Sequence, residues 1–199
     1  MIKIKMCGLS RFVDIEYANE VKPEFIGFVF TEKSRRYVSP KKAYELRRKL
    51  DKNIIPVGVF VNADIDFIVE LVKNRVIDMV QLHGSENENY IENLRRLVDV
   101  PIIQAFSIEK AEDIRKAENS SADYVLLDSG KGSGKTFDHS LINIKRPYFL
   151  AGGLTPENVG EISEKLNPYA VDASSSLETD GYKDINKMRA FADALGRKD

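Results

Sequence analysis

Cys7 and Asp128 are the two side chains of this sequence best placed for proton-transfer chemistry. Cys7, the one cysteine of the chain, closes a short apolar run and precedes a glycine, and Asp128 closes the apolar run 124–127. A thiolate is a base or nucleophile when its pKa is lowered, and a carboxyl group whose pKa is raised by burial suits a general acid near neutral pH. The alternatives are an inert buried thiol for Cys7 and a helix cap or ion-pair partner for Asp128.

A second group of residues has the chemistry of an anion site. Gly152 and Gly153 let backbone N–H groups approach a phosphate, and Ser174 and Ser175 follow at the next strand end with hydroxyl donors. Two ordinary turns, with the serines capping a short helix, are the alternative. Arg36 has the planar donor pair that grips a carboxylate, or else is a surface charge.

Three further polar residues, Gln81, His83 and Asp172, also lie at the ends of apolar runs. We expect them to line the same site, although a structural role remains the alternative for His83. The sequence contains no His, Cys, Asp or Glu cluster with metal-ligand spacing and no Ser-His-Asp pattern, so we expect no metal.

Eight short runs rich in β-branched and aromatic residues predict buried strands, and amphipathic stretches between them predict helices. The predicted strands cover residues 2–6, 25–30, 54–61, 77–82, 101–106, 124–127, 148–151 and 170–172. Three apolar stripes predict helices: Ala43, Leu46 and Leu50; Ile65, Ile68, Val69 and Val72; and Ile185, Met188, Phe191, Ala192 and Leu195.

Capping residues predict where helices begin. Ser39-Pro40 and Thr155-Pro156 each place a hydroxyl before a first-turn proline, and Ser85 with Glu88 fits a capping box. The segment after the sixth strand opens with a glycine-rich loop and leaves room only for a short helix over residues 138–142.

The strand count predicts an α/β fold, a (β/α)8 TIM barrel, as a single small domain over residues 1–199. An open doubly wound sheet is the alternative, but it favours five or six strands and a GxGxxG turn after the first strand, where this chain has Cys7-Gly8. Chemistry in such barrels gathers at the carboxyl ends of the strands, where the residues singled out above lie.

Composition excludes several classes of protein. With 30 basic and 31 acidic residues and a net charge of −1, the chain lacks the basic excess of a nucleic-acid-binding protein. Hydrophobic residues make up 43%, which is not typical of disorder. The N-terminus alternates apolar and charged residues without a secretory pattern, and no apolar run reaches membrane-spanning length. We expect a cytoplasmic protein that binds neither nucleic acid nor membrane.

The order of several motifs resembles the phosphoribosylanthranilate isomerase family of tryptophan biosynthesis. The similar segments are KMCGLSR (5–11), GFVF (27–30), SRRYVS (34–39), VGVFVN (57–62), VQLHG (80–84), LLDS (126–129), GSGKTFD (132–138) and LAGGLTPENV (150–159). The resemblance extends from one end of the chain to the other.

The resemblance implies an Amadori rearrangement of N-(5-phosphoribosyl)anthranilate, an aminoaldose phosphate, to an aminoketose phosphate. It implies Asp128 as general acid, Cys7 as general base and Arg36 facing the anthranilate carboxylate. The Gly152-Gly153 and Ser174-Ser175 loops would hold the phosphate. The substrate supplies its own electron sink, so no cofactor is expected, and the protein is expected to be a monomer or a homodimer.

Three positions depart from the family pattern. Arg35 stands where a proline is usual, Ser176 replaces a glycine after the eighth strand, and His139 replaces a tryptophan. If the backbone at Ser176 requires a positive φ, the serine costs about 1 kcal/mol. We expect the first two departures to affect the loops around Arg36 and the phosphate.

Two other functions fit a phosphate-binding barrel. A related lyase or synthase acting on an indole or ribulose phosphate would use lysine or glutamate catalysts, but the nearest candidates, Glu32 and Lys33, match no such motif. A non-catalytic barrel that binds a phosphorylated ligand or a partner protein is the other alternative.

Overall fold

Eight parallel strands close into a barrel in the computed structural model, which describes residues 1–128 and 142–197. The strands are β1 (Lys3–Cys7), β2 (Phe25–Val29), β3 (Ile55–Phe60), β4 (Met79–Leu82), β5 (Ile102–Ser107), β6 (Tyr124–Asp128), β7 (Tyr148–Ala151) and β8 (Ala170–Ala173). Each pairs with its neighbour in sequence, and β8 pairs with β1. The predicted barrel is confirmed and the open doubly wound sheet is wrong.

Helices cover the outside of the barrel. Those that the structure describes are α1 (Phe12–Val21), α2 (Pro40–Arg47), α3 (Ile65–Lys73), α4 (Glu88–Arg95), α5 (Ala111–Glu118), α6 (Val159–Leu166) and α7 (Ile185–Asp193). The three apolar stripes predicted from the sequence lie in or directly after α2, α3 and α7, and most of their residues are buried. None of the helices in the described ranges has the length and apolar character to cross a membrane.

One predicted helix start is confirmed and two are wrong. Ser39 caps α2 by accepting a hydrogen bond from the backbone N–H of Lys42 at 3.2 Å. Asn87, not Ser85, caps α4, because the Ser85 hydroxyl donates instead to Asn62 Oδ1 at 3.0 Å.

The other wrong start is at Thr155. Asn158 Oδ1 accepts from the Thr155 N–H at 2.8 Å and folds residues 155–158 into a turn, so α6 begins only at Val159. Of the helix predicted over residues 138–142, only Ile142 is described, and it lies outside any helix.

The alternation of side chains along each strand divides the apolar core into two layers. Between strands and helices lies an outer layer that includes Ile4 and Met6 of β1. Inside the barrel, an inner cluster contains Phe25, Val57, Met79, Ile103, Leu126, Phe149, Ala151 and Ala170. The intervening residues of β1 therefore face the barrel interior: Lys3, Lys5 and Cys7.

The two ends of the barrel differ in chemistry. At the amino ends of the strands, Lys3 Nζ donates to Tyr169 Oη at 2.7 Å and lies over the ring of Tyr169, which packs on Tyr124. At the carboxyl ends, a short 3-10 helix (Ser175–Leu177) and a hairpin of β9 (Glu178–Thr179) and β10 (Tyr182–Lys183) follow β8. These elements build one side of the barrel mouth.

Candidate functional site

Cys7 lies half-buried at the barrel mouth, and its neighbour on β2 is adapted to it. Cys7 pairs with Gly27 in the β1–β2 register. A Cβ atom on Gly27 would stand 2.6 Å from Cys7 Sγ and 3.1 Å from Cys7 Cα, so only glycine leaves room for the thiol. The following residue, Gly8, has φ +81°, and the Arg36 side chain crosses it so closely that a Cβ would lie 2.3 Å from Arg36 Cδ.

Asp128 ends β6, and its side chain lies near that of His83. His83 Nε2 is 3.7 Å from Asp128 Oδ2, and both side chains are partly exposed to the mouth. Gln81 Nε2 lies 2.8 Å from His83 Nδ1. The His83 ring is therefore contacted by Gln81 at Nδ1 and faces Asp128 through Nε2. Asp128 thus shares its side of the barrel mouth with His83 and Gln81.

One layer deeper, Lys5 and Asp172 form a buried ion pair. The two residues are paired in the β1–β8 register, and Lys5 Nζ lies 2.8 Å from Asp172 Oδ2. Burial by itself lowers the pKa of Lys5, but the charges of Asp172 and Cys7 outweigh it, so the pKa lies above its ordinary value. Asp172 also interacts electrostatically with His83 and Asp128, which links this pair to the opposite side of the mouth.

Two buried oxygen atoms at this level have no hydrogen-bond partner within the described part of the chain: Gln81 Oε1 and Asp172 Oδ1. An unpaired buried acceptor is costly, typically about 1–3 kcal/mol, and functional sites are where such groups are retained. Both belong to residues that face the barrel interior. They are therefore candidate acceptors for hydroxyl groups of a ligand.

Arg36 is held by Glu178 rather than exposed on the surface. Its Nε and Nη2 atoms contact the two carboxylate oxygens of Glu178 at 2.6 and 2.9 Å. Lys183 Nζ and Arg35 Nη2 approach the same carboxylate, each at 2.7 Å. Three cations around one carboxylate leave an excess of positive charge at the mouth, which favours an anionic ligand.

Arg35 and Ser176 depart from the expectations based on the family pattern. Arg35, in the usual proline position, is an ion-pair partner of Glu178 and so ties its loop to the β9–β10 hairpin. Ser176 is not among the residues with positive φ in the described ranges, so the strain considered for it does not arise.

The loops after β7 and β8 have the backbone expected of an anion site. Gly152 and Gly153 both have positive φ, of 92° and 63°, and nothing lies within 4 Å of a Cβ built on Gly153. The 3-10 helix starts at the exposed Ser175. The Ser174 hydroxyl donates to the Cys7 carbonyl at 3.0 Å, so it fixes the end of β8 to the end of β1 rather than capping the 3-10 helix.

The barrel brings every predicted site residue to its mouth or to the layer beneath it. Sequence reasoning missed Glu178 and Lys183, which no strand-end pattern marks, and it missed Lys5 as a charged group of the site. Lys5 had a usable signal, because a residue two positions before Cys7 on a strand faces the same side. In the described ranges, no group of three or more His, Cys, Asp and Glu side chains forms a metal site.

Glu178→Gln tests the charge cluster through the pH dependence of stability. Burial raises the pKa of Glu178, but the hydrogen bonds and charges of Arg36 and Lys183 outweigh it, so its pKa lies below the ordinary 4.5. The carboxylate therefore stabilises the fold fully above about pH 4.5 and loses that effect as the pH falls. We expect the free energy of unfolding of the variant to be about 3 kcal/mol lower at neutral pH. We also expect it to fall less steeply than that of the wild type as the pH decreases.

Urea unfolding between about pH 7 and pH 3 measures this effect. Glu20→Gln is the matched control, because Glu20 pairs with Arg189 at the exposed surface. It should keep the stability and the acid limb of the wild type. An acid limb equally steep in Glu178→Gln and the wild type would contradict the prediction.

Comparison with known proteins identifies one family whose model covers almost the whole chain. The family model for N-(5'-phosphoribosyl)anthranilate (PRA) isomerase matches residues 4–194. The N-(5'-phosphoribosyl)anthranilate isomerase of Endomicrobium trichonymphae is 43% identical over 194 residues, covering 94% of this chain and 95% of the relative.

Two solved structures extend the likeness to the fold. The phosphoribosyl anthranilate isomerase of Thermotoga maritima superposes with a TM-score of 0.89 at 33% identity, covering 98% of this chain and 99% of that one. A phosphoribosyl anthranilate isomerase in complex with reduced 1-(o-carboxyphenylamino)-1-deoxyribulose 5-phosphate superposes with a TM-score of 0.87 at 31% identity, with the same coverage.

Proposed function

The chain belongs to the N-(5'-phosphoribosyl)anthranilate isomerase family and is an isomerase, and on that premise we propose that Cys7 and Asp128 carry its proton transfers. The proposed substrate is N-(5-phosphoribosyl)anthranilate, and the product is 1-(2-carboxyphenylamino)-1-deoxyribulose 5-phosphate. This conversion is the third step of tryptophan synthesis from chorismate. The observation that supports the assignment is the placement of one thiol and one carboxyl group at the ends of β1 and β6. They lie above the buried Lys5–Asp172 ion pair, at the same end of the barrel as the Gly152-Gly153 loop.

The reaction is an internal redox rearrangement in which no atom is gained or lost. Asp128 donates a proton to the furanose oxygen, the ring opens, and the anthranilate nitrogen becomes a protonated Schiff base. Cys7 removes the proton from C2, and the electron pair moves into the C1–C2 bond and neutralises the nitrogen. The resulting enol-amine tautomerises to the aminoketose, so no external electron acceptor or cofactor is needed.

The binding groups follow from charge and position. Arg36 carries more N–H donors than the two that Glu178 occupies, and these face the carboxylate of the anthranilate ring. The backbone of Gly152 and Gly153 and the start of the 3-10 helix at Ser175 hold the phosphate. The ribose hydroxyls form hydrogen bonds with Gln81, His83 and Asp172, of which Gln81 and Asp172 offer unpaired acceptor oxygens. Ser174 joins the ends of β8 and β1 beside them.

Loss of phosphoribosylanthranilate fluorescence on adding the protein tests the proposal. Turnover of this substrate, with the aminoketose phosphate identified by mass spectrometry, is the expected result. Conversion of indoleglycerol phosphate without conversion of phosphoribosylanthranilate would instead indicate a barrel lyase or synthase. Binding of phosphoribosylanthranilate in a calorimeter with no product formed would indicate a non-catalytic barrel.

Gly153→Ala tests the phosphate loop. Gly153 has φ +63° with open space where a methyl group would stand, so the methyl adds backbone strain and occupies the volume proposed for the phosphate. We expect KM for the phosphorylated substrate to rise by about tenfold or more, because each lost charge-assisted hydrogen bond costs about 1.5–3 kcal/mol. Steady-state kinetics measures it.

Gly196→Ala is the matched control for this substitution. Gly196 has φ +79° and equally open surroundings, but it follows α7 and lies beside Met1 and Lys3 at the opposite end of the barrel. The same backbone strain there should leave KM unchanged. Equal values of KM in the two variants would contradict phosphate binding at Gly153.

A further inference from the structure

The reaction proposed above leaves the buried ammonium group of Lys5 without a role. Lys5 is fully buried, lies on the same inward face of β1 as Cys7 and is two residues from it. Because successive residues of a strand alternate between faces, its side chain lies directly beneath the thiol in the barrel. Burying a charge is expensive, and the barrel interior offers apolar neighbours that would pack without that cost.

A thiol in this position needs help to act as a base. Burial raises the pKa of Cys7, because removing water penalises the thiolate. Lys5 opposes this effect through its charge and a hydrogen bond to the sulfur, whereas the charge of Asp172 adds to it. The pKa of the thiol is therefore set by burial and the charge of Asp172, which raise it, and by nearby cations, which lower it and of which Lys5 lies beneath the sulfur.

The other cations near Cys7 form ion pairs with Glu178. Lys183 and Arg36 both affect the thiol electrostatically, but each forms a short ion pair with the carboxylate of Glu178. Lys5 is instead held by a single oxygen of Asp172, 2.8 Å away, and its pKa above the ordinary value keeps it protonated. Its ammonium group is thus held in position beneath the thiol by Asp172.

We infer that Lys5, anchored by Asp172, is a positioning residue for the base: it supplies the fixed positive charge that keeps the Cys7 thiolate available at the C2 proton of the substrate. This inference rests on the proposed function of Cys7. Lys5 acts through the sulfur of Cys7 rather than on the substrate, and Asp172 both orients the ammonium group and limits how strongly it acts on the thiolate. Removing Lys5 should therefore raise the pKa of the Cys7 thiol, and removing the charge of Asp172 should lower it.

The test uses the free protein and its one cysteine. Because the chain contains no other thiol, the rate of iodoacetamide alkylation, followed by intact mass as a function of pH, reports the thiolate fraction of Cys7 alone. We expect Lys5→Met to slow alkylation at about pH 7 by roughly tenfold and to move the rate curve to higher pH. Asp172→Asn should move the curve to lower pH.

Lys3→Met is the matched control. It removes the same charge from the same face of β1, but Lys3 contacts Tyr169 at the other end of the barrel. Its alkylation curve should coincide with that of the wild type. Identical curves for Lys5→Met and the wild type would overturn the inference.

A double variant guards against loss of the fold. If Lys5→Met alone unfolds because it leaves Asp172 charged and unpaired, Lys5→Met with Asp172→Asn removes both charges. Lys5 acts on the thiol by charge and by a hydrogen bond, whereas Asp172 acts by charge only. The alkylation curve of the double variant should therefore still be shifted to higher pH than that of the wild type. An unshifted curve would overturn the inference here too.

The pH profile of kcat/KM separates this inference from the proposed function. If Cys7 is the base, the acidic limb of the profile moves with the alkylation curve in Lys5→Met. An alkylation curve that moves while the limb stays fixed would overturn Cys7 as the base, and with it the catalytic meaning of Lys5.

Discussion

Asp128→Asn is expected to lower kcat by about 10²–10⁴-fold, the usual contribution of one positioned acid. The amide keeps the size of the side chain and its place at the end of β6 but has no proton to give to the furanose oxygen. Single-turnover measurement of phosphoribosylanthranilate fluorescence gives the rate.

Asp123→Asn is the matched control for this prediction. Asp123 directly precedes β6 and pairs with Arg95, so the same substitution is made at the opposite end of the barrel, just before the strand that Asp128 ends. It should lose some stability and keep kcat, because the chemistry takes place at the carboxyl ends. Turnover near the wild-type value in Asp128→Asn would contradict the role of Asp128 as acid.

Cys7→Ala is expected to lower kcat by a similar factor, about 10²–10⁴-fold, since no other described group is proposed to remove the C2 proton. The substitution removes only the sulfur, and Gly27 beside it leaves a small gap rather than a clash. The fold should therefore persist, with a modest loss of stability. The same fluorescence assay and a thermal melt measure the two effects.

Cys7→Ser distinguishes loss of the base from loss of the side chain. The hydroxyl fills nearly the same space but ionises far less readily than a thiol, so its kcat should be as low as that of Cys7→Ala. Iodoacetamide should inactivate the wild type and leave the residual rate of both variants unchanged, because Cys7 is the one cysteine of the chain. Activity of Cys7→Ala near that of the wild type would contradict the assignment.

Much of the fold could be predicted from the sequence because its signals are local. Buried parallel strands appear as short β-branched runs, and each of the eight predicted runs contains or overlaps a strand of the barrel. Helix caps were less predictable, because a cap depends on which competing side chain reaches the free N–H groups. At α4, Asn87 does so while the Ser85 hydroxyl bonds to Asn62, a residue of another strand–helix unit.

The residues of the candidate site could also be predicted only in part from local sequence. The sequence by itself determined that Cys7, His83, Asp128 and the two glycines stand at strand ends, since that follows from local pattern. It did not determine what surrounds them. Glu178 meets Arg36 across 142 positions of the chain, and only the closed barrel brings the β9–β10 hairpin over the loop after β2.

The first strand shows the physical reason most directly. The alternation of charged and apolar residues in β1 establishes that Lys3, Lys5 and Cys7 share one face, but in an isolated strand the charged face would be the one in water. Pairing of β1 with β8 turns that face inward, so Ile4 and Met6 pack under the helices and Lys5 is sealed in the barrel against Asp172. Residue type and spacing fixed which side chains act together, and closure of the barrel decided which charges lie beneath the thiol.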